Sequence, residues 1–93
     1  MKEYIFYEDP GHGWLAVPIK ELIELGIADK ITGYSYTLGG MAYLEEDCDL
    51  PTFVKAYKKK YGEVPKGKAV YQEYTSIRNY PNYTKDKVYK EVA

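Results

Sequence analysis

The amino-acid sequence predicts a small α+β domain. A small antiparallel sheet and two amphipathic helices packed on one of its faces follow in the order β-β-α-β-β-α-β. Three observations carry that prediction. Gly39-Gly40 separates two short runs of alternating side chains, which is how a two-residue hairpin reads in sequence. Leu50, Phe53, Val54, Tyr57 and Tyr61 recur at helical spacing. The chain has 93 residues, enough for one two-layer core but too few for a doubly wound nucleotide fold or an eight-stranded α/β barrel.

Each element has its own warrant. Residues 2–8 read as a strand, because Tyr4, Phe6 and Glu8 alternate with Ile5 and Tyr7. Asp9-Pro10-Gly11-His12-Gly13 is a turn, with two glycines free to take positive φ, and Trp14–Val17 returns. Pro18 suits the first position of a helix, where its missing N–H has no intrahelical partner. Ile19, Leu22, Ile23 and Ile27 then mark one face of a short helix that Gly26 ends. Residues 33–38 form the next strand, with Tyr34, Tyr36 and Leu38 on one face, and Met41–Leu44 returns. Asp49 is an N-cap for the second helix and Pro51 lies in its first turn. Lys58, Lys59 and Lys60 suit the negative end of that helix, and Gly62 stops it. Residues 68–77 look extended, 78–83 form an irregular aromatic turn, and 84–93 are polar and lysine-rich. Residues 1–83 are therefore read as one domain, with 84–93 as a tail or short terminal element.

Composition closes several function classes. One cysteine, Cys48, cannot make an intrachain disulfide, so a reducing cytosol is the expected compartment. One Cys and one His cannot build a structural zinc site, and no cofactor is expected. No apolar run has the length of a membrane span. No Walker, Ser-His-Asp or Cys-His pattern is present, which favours binding over catalysis. Two features are unusual. Tyrosine occurs 12 times, against two Phe and one Trp. Charge is divided, residues 1–53 carrying net −7 and residues 54–93 net +6.

Four groups of residues are candidates for function. His12, the one histidine, sits between glycines on a hairpin tip, where it can act as a base or ligand or simply fill the turn. Glu45-Glu46-Asp47-Cys48-Asp49 packs four carboxylates into five residues. It can hold a cation, meet a basic partner, or face the helix dipole, but it lacks the spacing and turn glycine of a calcium loop. Tyr34 and Tyr36, with Tyr43 across the hairpin, make a ladder able to stack bases, anchor a protein partner or cover the core. Arg78, the one arginine, lies among Tyr74, Tyr80 and Tyr83 and can grip a carboxylate or phosphate, or pair with the acidic loop.

The segments Gly11-His12-Gly13-Trp14-Leu15, Tyr34-Ser35-Tyr36, Tyr43–Asp49 and Ser76-Ile77-Arg78-Asn79-Tyr80 together resemble a group of small proteins encoded by bacteriophages, plasmids and other mobile elements. The resemblance spans residues 8–83. It implies a bacterial cytoplasmic setting and transfers no activity; by analogy with small accessory proteins of such elements it suggests counter-defence.

The expected function is accordingly binding, with a host protein as partner, one that handles nucleic acid or acts in defence. The expected face is His12, Trp14, Tyr34, Tyr36, Glu45, Glu46, Asp47 and Arg78, whose acidic and aromatic groups suit a basic cleft. Two alternatives come from other classes. One is a small-ligand or hydrolytic site in which His12, Glu46, Asp47 and Arg78 converge. The other is a nucleic-acid binder using the C-terminal lysines, which the acidic first half disfavours.

Overall fold

Alternation along the strands sorts their side chains into two layers. In the computed structural model, which describes residues 3–86 and 88, β1 (Glu3–Glu8) pairs antiparallel with β2 (Gly13–Pro18). After α1 (Ile19–Glu24), a second hairpin joins β3 (Tyr36–Leu38) to β4 (Met41–Glu45), and β4 pairs antiparallel with β2. α2 (Leu50–Tyr61) then crosses to β5 (Lys66–Tyr71), and a 3-10 turn follows over Ser76–Asn79. The strand order is β3-β4-β2-β1-β5.

The sheet is mixed, which corrects the antiparallel expectation: β5 runs parallel to β1. The cause is α2. A helical crossover returns the chain to the end of the sheet where β4 began, so β5 must run parallel to β4 and hence to β1. Among the described residues the domain is α+β, with five strands and two α-helices.

One face of the sheet carries Tyr4, Leu15, Val17, Ala42 and Leu44, and against it lie Ile19 and Leu22 of α1 and Phe53 and Tyr57 of α2. The Tyr4 ring meets Phe53 edge-on at 5.4 Å and Tyr57 at 6.2 Å. Its hydroxyl donates to Glu21 Oε1 at 2.6 Å, fixing α1 to β1. Burial and that carboxylate push the Tyr4 phenol well above its usual range. Tyr83 and Val88 complete the core from beyond the sheet, Tyr83 donating to the Ala28 carbonyl.

Gly39 and Gly40 both hold positive φ, 57° and 81°, the requirement of a type I′ turn. The first turn differs from expectation. Gly11 and Gly13 are not in the left-handed region, and Asp9 Oδ1 instead accepts from the amides of Gly11 and His12, both at 2.9 Å. Gly13 is needed for space: a Cβ there would lie 2.2 Å from Phe6 Cζ. Gly13→Ala should therefore cost about 1–3 kcal/mol of stability. Denaturant unfolding checks this, and an unchanged midpoint would place Phe6 elsewhere.

Four further expectations need correction. β3 begins at Tyr36, because 32–35 form a turn tied to α2, so Tyr34 is outside the strand and 71% exposed. Tyr61 is 52% exposed, because α2 runs past the edge of the core in its last turn. β5 spans Lys66–Tyr71 and not 68–77, since the chain turns into the 3-10 element that folds back over the sheet. The Asp49 side chain makes no capping bond to α2.

Candidate binding face

The face of the sheet away from the helices carries Ile5, Tyr7, Trp14, Ala16, Tyr36, Met41, Tyr43 and Glu45, because these positions alternate with the core residues. Cross-strand register builds it: Tyr7 pairs with Trp14, Ala16 with Tyr43, and Tyr36 with Tyr43. The chain from Thr75 to Tyr80 covers one end. Ile77 and Thr75 are buried there, and the Tyr80 ring lies 5.2 Å from Tyr43. The other end is open. Ile5 is 40% exposed, and with Tyr7, Ala16, Pro18, Met41 and Tyr43 it lines a shallow depression of about 380 Å³. Beneath the covering segment, Tyr7, Tyr43, Gln72, Ser76 and Tyr80 line a polar hollow of about 210 Å³. Burial first, then the neighbouring Tyr80 and Tyr7, raises the Tyr43 phenol.

Trp14 anchors the closed end. It is 2% exposed, with the Arg78 guanidinium 5.2 Å above its ring and the rings of His12 and Tyr36 at 6.0 and 6.4 Å. Its indole N–H has no acceptor among the described residues. Arg78 is held in place by Asp9, in a two-pronged pair with Nε–Oδ2 at 2.7 Å and Nη2–Oδ1 at 3.0 Å. The expected alternatives for Arg78 were a free fork or a pair with the acidic loop; its partner is the first hairpin turn, 69 residues away in the chain. That pair holds the Asp9 carboxyl far below the usual carboxylate range, with the His12 and Gly11 amides adding to the effect.

The sign of the pH dependence follows. Because the folded carboxyl is depressed, its stabilisation is complete above the unfolded value, about 3.9, and is lost as pH falls toward the folded one. The stability difference between the wild type and Asp9→Asn should be constant from neutrality to about pH 5 and shrink below about pH 4. Unfolding curves at several pH values check this; a difference that grows on acidification would contradict the pairing.

The acidic loop divides into structural and free members. Glu45 is buried, and its Oε1 accepts from the amides of Asp47 at 2.5 Å and Cys48 at 2.9 Å. Its Oε2 lies 3.8 Å from His12 Nδ1, an ion pair when the imidazole is protonated. Glu46 is half-buried beside Gly13, whose carbonyl accepts from the Glu46 amide at 3.0 Å, and Asp47 is exposed. Asp49 is fully buried. It accepts from the Thr32 amide at 3.0 Å, the Thr32 hydroxyl at 2.8 Å and the Ser35 hydroxyl at 2.5 Å. Ser35 Oγ in turn accepts from the Glu45 amide at 2.9 Å, so one network fastens the loop before β3 to the start of α2.

The structure thus links His12, Trp14, Tyr36, Glu45 and Arg78 through direct contacts. It gives the side chains of Tyr34, Glu46 and Asp47 no such contact within this group, the Glu46 carboxylate lying on the helix side of the sheet with the Phe6 ring. Sequence reasoning missed Tyr7, Ile77 and Tyr80 as part of the face; the alternation of 3–8 carried the signal for Tyr7. Among the described residues no group of three His, Cys, Asp or Glu is placed to hold a metal ion, and no helix is long and apolar enough to cross a membrane. Comparison with protein-family models, with curated proteins and with solved structures found no match.

Proposed function

We propose that this chain is a non-enzymatic binding protein that occupies a surface of a protein partner through the helix-free face of its sheet. One observation carries the reading: both helices pack on the same side, which leaves an aromatic and aliphatic face open around Ile5, Tyr7, Met41 and Tyr43. Rigid tyrosines on strands provide large contact area at low entropic cost, the usual make-up of an interface anchor. Asp47 is exposed just beyond the end of β4, so the partner surface that fits is basic and partly apolar, as in the cleft of a nucleic-acid-handling protein. The resemblance of the sequence to mobile-element proteins supports a host defence protein as that partner.

The alternative of a hydrolytic site at His12, Glu46, Asp47 and Arg78 draws less support, since Arg78 is committed to Asp9 and flanks Trp14. A nucleic-acid partner for the lysines also draws less support, since Lys58, Lys59 and Lys60 lie on α2, on the layer opposite the aromatic face, and of the described lysines only Lys66 and Lys68 stand on the same side as that face.

Association kinetics with a protein that the chain captures from bacterial lysate test the reading. Glu46→Gln with Asp47→Asn keeps shape and removes charge. The on-rate should fall several-fold and its salt dependence should flatten, because steering charge is lost. Reversing Lys58, Lys59 and Lys60 should change the on-rate less. A partner lost only by the lysine variant would overturn the reading in favour of a polyanion.

A further inference from the structure

We infer that the free edge of β5 is a second binding site, which takes an extended peptide segment alternating acidic and apolar side chains as a sixth strand. Its lysines adjoin the helix-free face, Lys68 lying beside Ile5, but its backbone edge and its groove are formed by other residues.

The backbone defines the edge. Gln72 N–H donates to the Glu8 carbonyl at 2.8 Å, and Glu8 pairs with Tyr71 in a parallel register. In a parallel ladder that phase turns the N–H and C=O groups of residues 68 and 70 toward β1. Those of Gly67, Ala69 and Tyr71 therefore point outward, and β5 is the last strand of the sheet. An edge of this kind is a template for an added strand.

The two faces of β5 state what the added strand must carry. Gly67 and Ala69 pair with Tyr4 and Phe6, so the Ala69 methyl group and the bare Cα of Gly67 face the helix side of the sheet. Both are small, and they leave an apolar groove of about 290 Å³ beside them, with Phe6, Leu15, Leu50 and Val54 as floor and Pro65 at one end. Side chains of a sixth strand that point to this side would fill the groove. Lys66 and Lys68 pair with Glu3 and Ile5 and lie on the other side of the strand, both exposed. No carboxylate of a described residue forms an ion pair with Lys68. Opposite charges directly across two strands attract, so acidic side chains belong at the alternate positions. Charge complementarity thus selects this peptide over a second copy of the chain. Antiparallel pairing of two β5 strands about Ala69 would bring Lys68 and its counterpart to neighbouring positions on one face.

The probe is an acetylated, amidated hexapeptide Glu-Leu-Glu-Val-Glu-Val, with Lys-Leu-Lys-Val-Lys-Val as its control, titrated into the whole chain and followed by backbone amide NMR. The expected result is a set of shifts confined to residues 65–72 and to Phe6, Leu50 and Val54, with the lysine control about tenfold weaker. Ala69→Pro removes one outward N–H and no bond to β1, and it should abolish binding. Lys68→Glu, which leaves the backbone and the groove intact, should invert the preference between the two peptides. Equal affinity for both peptides, shifts mainly at other residues than these, or no shift at millimolar peptide would overturn the site. A concentration-dependent dimer that Ala69→Pro dissolves would also overturn it, by making a second copy the occupant.

Discussion

Phe53→Ala should remove about 3–5 kcal/mol of stability, the largest single loss expected in this chain. Phe53 is fully buried and its ring touches Tyr4 across the sheet–helix boundary and Tyr57 one turn along α2. Truncation deletes an aromatic side chain at the one point where α2, β1 and the hydroxyl-anchored Tyr4 meet. The surrounding strands are pinned by their ladders, so the space cannot close and a cavity term adds to the lost burial. Against a total of about 5–15 kcal/mol for a domain, that is enough to leave a large unfolded fraction at physiological temperature. Urea unfolding of the variant checks it, and an unchanged midpoint would mean that α2 packs by another face.

The second large effect is expected at Asp49. Three donors converge on its buried carboxylate, and Asp49→Ser cannot reach all of them. The loss should be roughly 2–4 kcal/mol, since each charge-assisted bond stranded in the interior costs on the order of 1–3 kcal/mol. Serine is the informative replacement. A helix cap accepts serine as readily as aspartate, so a capping role predicts almost no change. A large loss with Asp49→Ser and a smaller one with Asp49→Asn, which keeps one acceptor, would locate the function of this residue in the 32–35 turn.

Asp49 also marks where the sequence stops being legible. The local signals held where the structure depends on local chemistry. The α2 stripe, the Gly39-Gly40 turn and the short first helix all follow from spacing and backbone freedom within a few residues. The parallel placement of β5 did not follow, because strand direction is set by what the α2 crossover does in three dimensions. The same holds for Asp49, read from sequence as a cap since nothing local points to Thr32 and Ser35. Tyr83 and Val88 lie in polar stretches without periodicity, yet both are buried, recruited by groups more than fifty residues earlier in the case of Tyr83. Of the candidate face, His12, Trp14, Tyr36, Glu45 and Arg78 were legible as unusual residues. Their assembly was not, because the Arg78–Asp9 pair joins segments at opposite ends of the sequence.

Site-specific photo-crosslinking in cells tests the role of the helix-free face most directly. A benzophenone amino acid is placed in turn at Met41 on the open face, at Asp47 at the end of β4, and at Lys58 on α2. One adduct is expected, the same protein from positions 41 and 47, and none from position 58. An adduct formed from position 58 alone would contradict it.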